Sequence, residues 1–108
     1  MTHEVFNKIV KEQLKRCESV LIGKGEEYAP DKTVDRLAHF KKAAVIIEGT
    51  SKEALLGMLS KHLVSISDMV TDGKKYPKER WLEKISDSMN YLLLLLALVE
   101  EEEASGQN

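Results

Sequence analysis

The residues best suited to chemistry lie in three stretches of the chain. In "DSMNYLLLLLALVEEEE", Asp87 and Asn90 are three apart and share one side of a helix, one turn before a run that is apolar on nearly every face. A carboxylate and an amide that close to buried surface need a partner or a metal. In "GKGEEYAPDK", Glu26 and Glu27 are adjacent carboxylates between Lys24 and Tyr28. Mg²⁺ asks for only one or two protein carboxylates when substrate phosphates complete its shell, so this pair is a candidate donor set. In "GMLSKHLVSISDMV" and the residues after it, Lys61, Ser65, Asp68 and Asp72 recur at intervals of three and four. They line a strip beside a core face that contains His62.

Glu83, Asp87, Asn90 and Tyr91 make a comparable strip later in the chain, and Asp35, Arg36 and His39 follow the loop. Each also has a plainer reading. Lys61 and Asp68 fit a solvated helix edge, His62 a packed core histidine, and Glu26–Glu27 a polar loop. Trp81 reads as a packing anchor, with base stacking as the alternative. Glu100–Glu103 reads as a solvated helix end that opposes the macrodipole.

The elements that must position these residues are helical. Val5, Phe6, Ile9, Val10, Leu14, Cys17, Val20 and Leu21 give helical spacing from Thr2, a plausible cap, to about Ile22, where Gly23 and Gly25 follow. A second segment starts near Asp31 or Thr33, carries Val34, Leu37, Phe40, Ala44 and Ile47, and stops at Gly49. "TSKE" is a capping box that opens a third, with Thr50 as cap and Glu53 reaching back. "TDGKKYP" breaks the third helix, and Pro77 suits the first turn of a fourth that runs from about Lys78 to Glu102. No stretch alternates with period two. The expected fold is therefore all-α: one antiparallel four-helix bundle over 1–102, with a frayed tail at 103–108.

Bulk composition sets the outer limits. With 108 residues, 43% hydrophobic and 31% charged, the chain has room for one core. A net charge of −2, from 16 basic and 18 acidic residues, leaves no dense basic face for duplex nucleic acid. The apolar run from Tyr91 to Val99 falls short of the roughly 20 residues that cross a bilayer, so no membrane partner is expected. The single cysteine, Cys17, excludes an intramolecular disulfide and fits a reducing compartment. "MTHEVFNKIVKEQ" is amphipathic and charged throughout, unlike a secretory leader. The expectation is a cytoplasmic protein. A leucine run too broad for one small bundle to cover implies a homo-oligomer, a dimer first of all.

In order, "KGEEYAP", "RLAHF", "GMLSKHLVSISDMV" and "WLEKISDSMNYLLLLLALV" resemble short phage-encoded helical proteins related to the MazG-like, all-α NTP pyrophosphatases. The resemblance spans roughly residues 15 to 100. A Lys-x-x-acid-Tyr motif matches Lys24, Glu27 and Tyr28, a later helix lysine matches Lys61, and Asp-x-x-x-Tyr before an apolar run matches Asp87 and Tyr91. Two departures stand out: no third glutamate follows Glu26–Glu27, and Glu83 and Asp87 are four apart rather than three.

The resemblance implies a dimer or tetramer that binds a nucleoside triphosphate over carboxylate-held Mg²⁺ and hydrolyses it between the α and β phosphates. Glu27 and Asp87, with Asp68, would then hold the metal, and Glu26 or Glu83 would take a proton from water. Lys24, Lys61 and Arg36 would meet the phosphates. Tyr28, His62, Asn90 and Tyr91 would line the rest of the nucleotide, the last two reading sugar or base edges. Two other classes remain open. One is a non-catalytic nucleotide-binding protein on the same scaffold, such as a phage protein that sequesters a signalling nucleotide. The other is a helical oligomeric interaction protein.

Overall fold

Thr2 starts the first helix as the sequence suggests. Its backbone is extended and its hydroxyl accepts from the Val5 amide at 3.2 Å, which satisfies one orphan donor of α1 (His3–Glu18). At the other end the Ser19 N–H is shared between the Lys15 and Arg16 carbonyls. The chain then widens into a π-helical turn, Ser19–Gly23, so the single long helix expected up to Ile22 is α-helical only to Glu18. In the computed structural model, residues 1–23 and 35–106 are described, and the chain divides into two compact units, Met1–Arg36 and Leu37–Asn108.

In the first unit Cys17 is buried, with the Gln13 side-chain amide donating to its Sγ at 3.7 Å. The apolar residues Val5, Phe6, Ile9, Val10 and Leu14 are exposed.

The second unit holds the remaining helices: α2 (Ala38–Ile46), α3 (Ser51–Thr71) and α4 (Lys78–Ala104). The turn from α2 to α3 is settled by local chemistry. Glu48 N–H donates to the Val45 carbonyl at 3.2 Å, and Gly49 N–H to Ala44 at 3.0 Å, the paired bonds of a Schellman ending. That motif needs a left-handed residue, and here it is Glu48 at φ 54° rather than the glycine beside it. Gly49 has a different reason to be small. A Cβ there would stand 3.2 Å from the Glu53 carboxylate and 3.3 Å from Ile47.

The crowding carboxylate belongs to the capping box. Thr50 N–H donates to Glu53 Oε1 at 2.9 Å, and Glu53 N–H to Thr50 Oγ1 at 3.1 Å, as "TSKE" foretells. A left-handed non-glycine residue costs about 1–2 kcal/mol, part of which glycine gives back as unfolded-chain entropy. Glu48→Gly is therefore expected to raise stability by up to about 1 kcal/mol, read as a higher urea midpoint at unchanged slope.

α3 and α4 run antiparallel. Lys52, at the start of α3, pairs with Glu102 at 2.9 Å, while His62 further along faces Asp87. Lys41 of α2 reaches Glu101 at 2.8 Å. Two of the four glutamates read from sequence as a solvated helix end thus hold lysines from neighbouring helices, and α4 extends through Ala104. The core lies at this end: Leu37 and Phe40, Leu55 of α3 and Leu98 of α4 are buried, with Met58, Tyr91, Leu94 and Leu95 packed against them. The leucine run is covered on one side only. Leu92, Leu93 and Leu96 remain exposed. All regular structure among the described residues is helical, without a strand, and no helix among them is long and apolar enough to cross a membrane.

The α3–α4 connection is fixed by Asp72. Its Oδ1 accepts from the Lys74 amide at 2.8 Å, and the Tyr76 hydroxyl donates to its other oxygen. Gly73 takes the left-handed position at φ 75°. Pro77 occupies the cap position just before Lys78, one residue earlier than the first turn expected for it. The Tyr76 hydrogen bond, then the Lys74 amide, hold the Asp72 carboxyl below its usual pKa of 3.8. The same Tyr76–Asp72 bond raises the phenol above its usual 10.0.

The depressed acid contributes stability above the unfolded aspartate pKa and loses it as pH falls through the lower folded value. The raised phenol contributes below about pH 10 and loses it as pH rises through its folded value. The stability difference between wild type and Tyr76→Phe should accordingly be flat between about pH 5 and 9 and shrink on both sides. Denaturation across pH reads this directly.

Candidate functional site

Midway along the α3–α4 seam three polar side chains, His62, Asp87 and Tyr91, come together, and a fourth, Asn90, is buried on α4 beside them in sequence. α3 contributes His62. α4 contributes Asp87, Asn90 and Tyr91, spaced three and four apart and therefore on one side of the helix. His62 Nδ1 stands 3.7 Å from Asp87 Oδ2, beyond hydrogen-bond reach but within range of attraction when the imidazole is protonated. The His62 and Tyr91 rings lie 5.2 Å apart between centroids, tilted by 37°. Tyr91 thus spans two environments, packing on the core cluster and flanking the histidine.

Two atoms here have unmet hydrogen-bonding capacity. Asn90 is 7% exposed, and its Oδ1 is buried without a donor among the described residues. His62 Nδ1 is likewise buried without a hydrogen-bond partner. Leaving such a group unsatisfied costs about 1–3 kcal/mol, which makes these two atoms the first to examine for a partner. Ser88, the other buried polar residue, donates to the Lys84 carbonyl of its own helix at 2.9 Å and has no such deficit. Asp87 keeps 39% of its side chain exposed, enough for an ion or a ligand to approach.

The other residues read from sequence as site candidates are distributed as follows. Lys61 is exposed on α3, adjacent to His62 in sequence and so about 100° away around the helix. Glu83 is exposed one turn before Asp87. Asp68 is exposed six residues beyond His62, roughly 9 Å along the axis, where its charge acts on Tyr76. Arg36 is exposed at the end of the first unit. Lys24, Glu26, Glu27 and Tyr28 lie outside the described residues. The fold therefore brings together His62, Asp87 and Tyr91, with Asn90 on the same side of α4.

For Mg²⁺, the Asp87 carboxylate is an oxygen donor of the right hardness, partly open to solvent. Among the described residues no three His, Cys, Asp or Glu side chains come close enough to enclose a metal. A cation at Asp87 would have one protein carboxylate and would need ligand oxygens to complete its shell.

Sequence reasoning overlooked one organised feature, the α3–α4 corner. Arg80 lies over the Tyr76 ring at 5.5 Å, and Trp81 meets Tyr76 edge to face at 6.2 Å. Its signal in the sequence is an Asp-Gly turn followed by an aromatic residue four positions after the aspartate. Compared with known protein families, curated proteins and solved structures, the chain matches none.

Proposed function

We propose that this protein is a Mg²⁺-dependent nucleoside triphosphate pyrophosphohydrolase of the MazG-like type. The observation that carries the reading is the polar interruption of the α3–α4 seam: a buried, donorless Asn90 oxygen on the same side of α4 as the half-open Asp87 carboxylate, which faces His62. The motif matches at Lys24, Glu27, Tyr28, Lys61, Asp87 and Tyr91 supply the reaction class by resemblance.

Asp87 would hold Mg²⁺, which when bound supplies positive charge against the triphosphate. The resemblance alone assigns Glu27 and Asp68 to the metal and Lys24, Lys61 and Arg36 to the phosphate oxygens. Glu26 or Glu83 accepts the proton of the attacking water. That water forms a bond to the α phosphorus as the bond to the α–β bridging oxygen breaks, giving a nucleoside monophosphate and pyrophosphate. Asn90 offers an acceptor to a base or sugar donor, and the tilted His62–Tyr91 ring pair offers an aromatic contact beside it. Exposed Ile85, Leu92 and Leu96, seven and four residues apart on α4, support a homo-oligomer formed through that helix.

The reading is tested by incubating the chain with each NTP and dNTP in Mg²⁺ and resolving the products. Monophosphate and pyrophosphate in equal amounts are expected from at least one nucleotide. No product from any of them overturns it. Nucleotide binding without turnover is the second reading, favoured because the described cluster contains one carboxylate where metal-assisted hydrolysis commonly uses several. Thermal stabilisation by a nucleotide that is recovered intact identifies that case.

A further inference from the structure

Residues 74–80, "KKYPKER", contain four cations and one acid, in a chain whose net charge is −2. Lys74, Lys75, Lys78 and Arg80 are all exposed, and Lys75 and Lys78 form no ion pair with a described residue. The segment between the two long helices is held in one shape: Asp72 is bonded to both the Lys74 amide and the Tyr76 hydroxyl. The aromatic residues inside this positive field are organised too. Arg80 covers one face of Tyr76 at 5.5 Å, and Trp81 stands perpendicular to Tyr76 at 6.2 Å.

We infer that this corner is a docking surface for single-stranded nucleic acid, two or three nucleotides long. Cations along a backbone track combined with aromatic or guanidinium planes are what recognition of unpaired bases requires. Duplex DNA hides its base faces and offers the corner phosphate charge alone. An anionic membrane fits less well, because Tyr76 and Trp81 are tied to each other and to Arg80 and keep only part of their surface open, enough for a base to lie against and too little to insert among lipids. An acidic polypeptide would use the lysines but leave the stacked planes without a role. The surface is separate from the His62–Asp87 seam and does not depend on the hydrolase reading.

Trp81 is the only tryptophan in the chain and so reports on its own surroundings. Titration of the full chain with short oligothymidylate at low salt should give saturable quenching of its fluorescence. Log affinity should fall with log salt with a slope of about −2 to −3, as expected when three or four phosphates are met. With a labelled oligonucleotide read by anisotropy, Lys74→Glu/Lys75→Glu should weaken binding at least tenfold. Trp81→Phe should weaken it several-fold at an unchanged salt slope. Both variants should keep the wild-type helical content, and the charge pair should leave any nucleotide turnover unchanged.

Absence of quenching and of anisotropy change at low salt overturns the proposal. So does equal or tighter binding of polyglutamate or of phosphatidylserine vesicles, or an affinity for oligothymidylate that the lysine variant leaves intact.

Discussion

Truncating Leu55 to alanine is expected to destabilise the protein by about 3–5 kcal/mol, the largest single effect on folding that the structure supports. Leu55 is 0% exposed and sits where three helices converge, against Leu37 and Phe40 on one side and Leu98 on the other. The cost has two parts, the lost transfer of the side chain from water and the cavity left among neighbours that relax only partly. Those neighbours are themselves tied: Lys41–Glu101 and Lys52–Glu102 fix both flanking helices to the end of α4 at this level, which limits collapse into the cavity. A domain of this size has only about 5–15 kcal/mol of total stability, so the variant should lose a large part of it. Urea denaturation should show a lower midpoint at unchanged slope. A loss under about 1 kcal/mol would mean that the three-helix contact is not the core.

The second large effect concerns chemistry. Asp87→Asn keeps shape and removes charge, and turnover is expected to fall by roughly two to three orders of magnitude with helical content intact. Stability gives a contrasting control. Asp87 is more than a third exposed and stands 3.7 Å from His62, so its ion-pair contribution is at most about 1 kcal/mol and exists only while His62 is protonated. A large loss of activity with a small loss of stability separates a site carboxylate from a structural one. Were the seam merely an interaction surface, the same substitution would leave every measured activity unchanged.

The elements were legible in the sequence where local chemistry dictates them. The Thr2 cap, the Thr50–Glu53 capping box and the Gly73 break follow from side chains within four residues of the backbone groups they satisfy. What escaped depends on distant partners or on backbone geometry that the residue type does not announce. Glu48 takes the left-handed position because the Schellman bonds place the turn residue there, while Gly49 is small for the room the next capping box leaves, and neither is visible before both helices are in place. Glu101 and Glu102 read as solvated acids until α2 and α3 bring lysines to them.

At the site, the periodic spacing of Asp87, Asn90 and Tyr91 was sufficient to put them on one side of α4. The contact of His62 with Asp87 and Tyr91 was not legible, since it depends on the antiparallel register of two helices twenty-five residues apart at that point. Conversely, Lys61 and Asp68 share one exposed strip, offset by about 100–120° around α3 from His62, so the strip does not join the cluster.

The central claim, a Mg²⁺-dependent nucleotide site at Asp87, is tested most directly by equilibrium binding of non-hydrolysable nucleoside and deoxynucleoside triphosphates to wild type and to Asp87→Ala, with Mg²⁺ and with chelator. Thermal stabilisation of the wild type by at least one analogue is expected, present with Mg²⁺, lost with chelator and lost in the variant. Equal stabilisation of wild type and Asp87→Ala, or none of the wild type by any analogue, would contradict it.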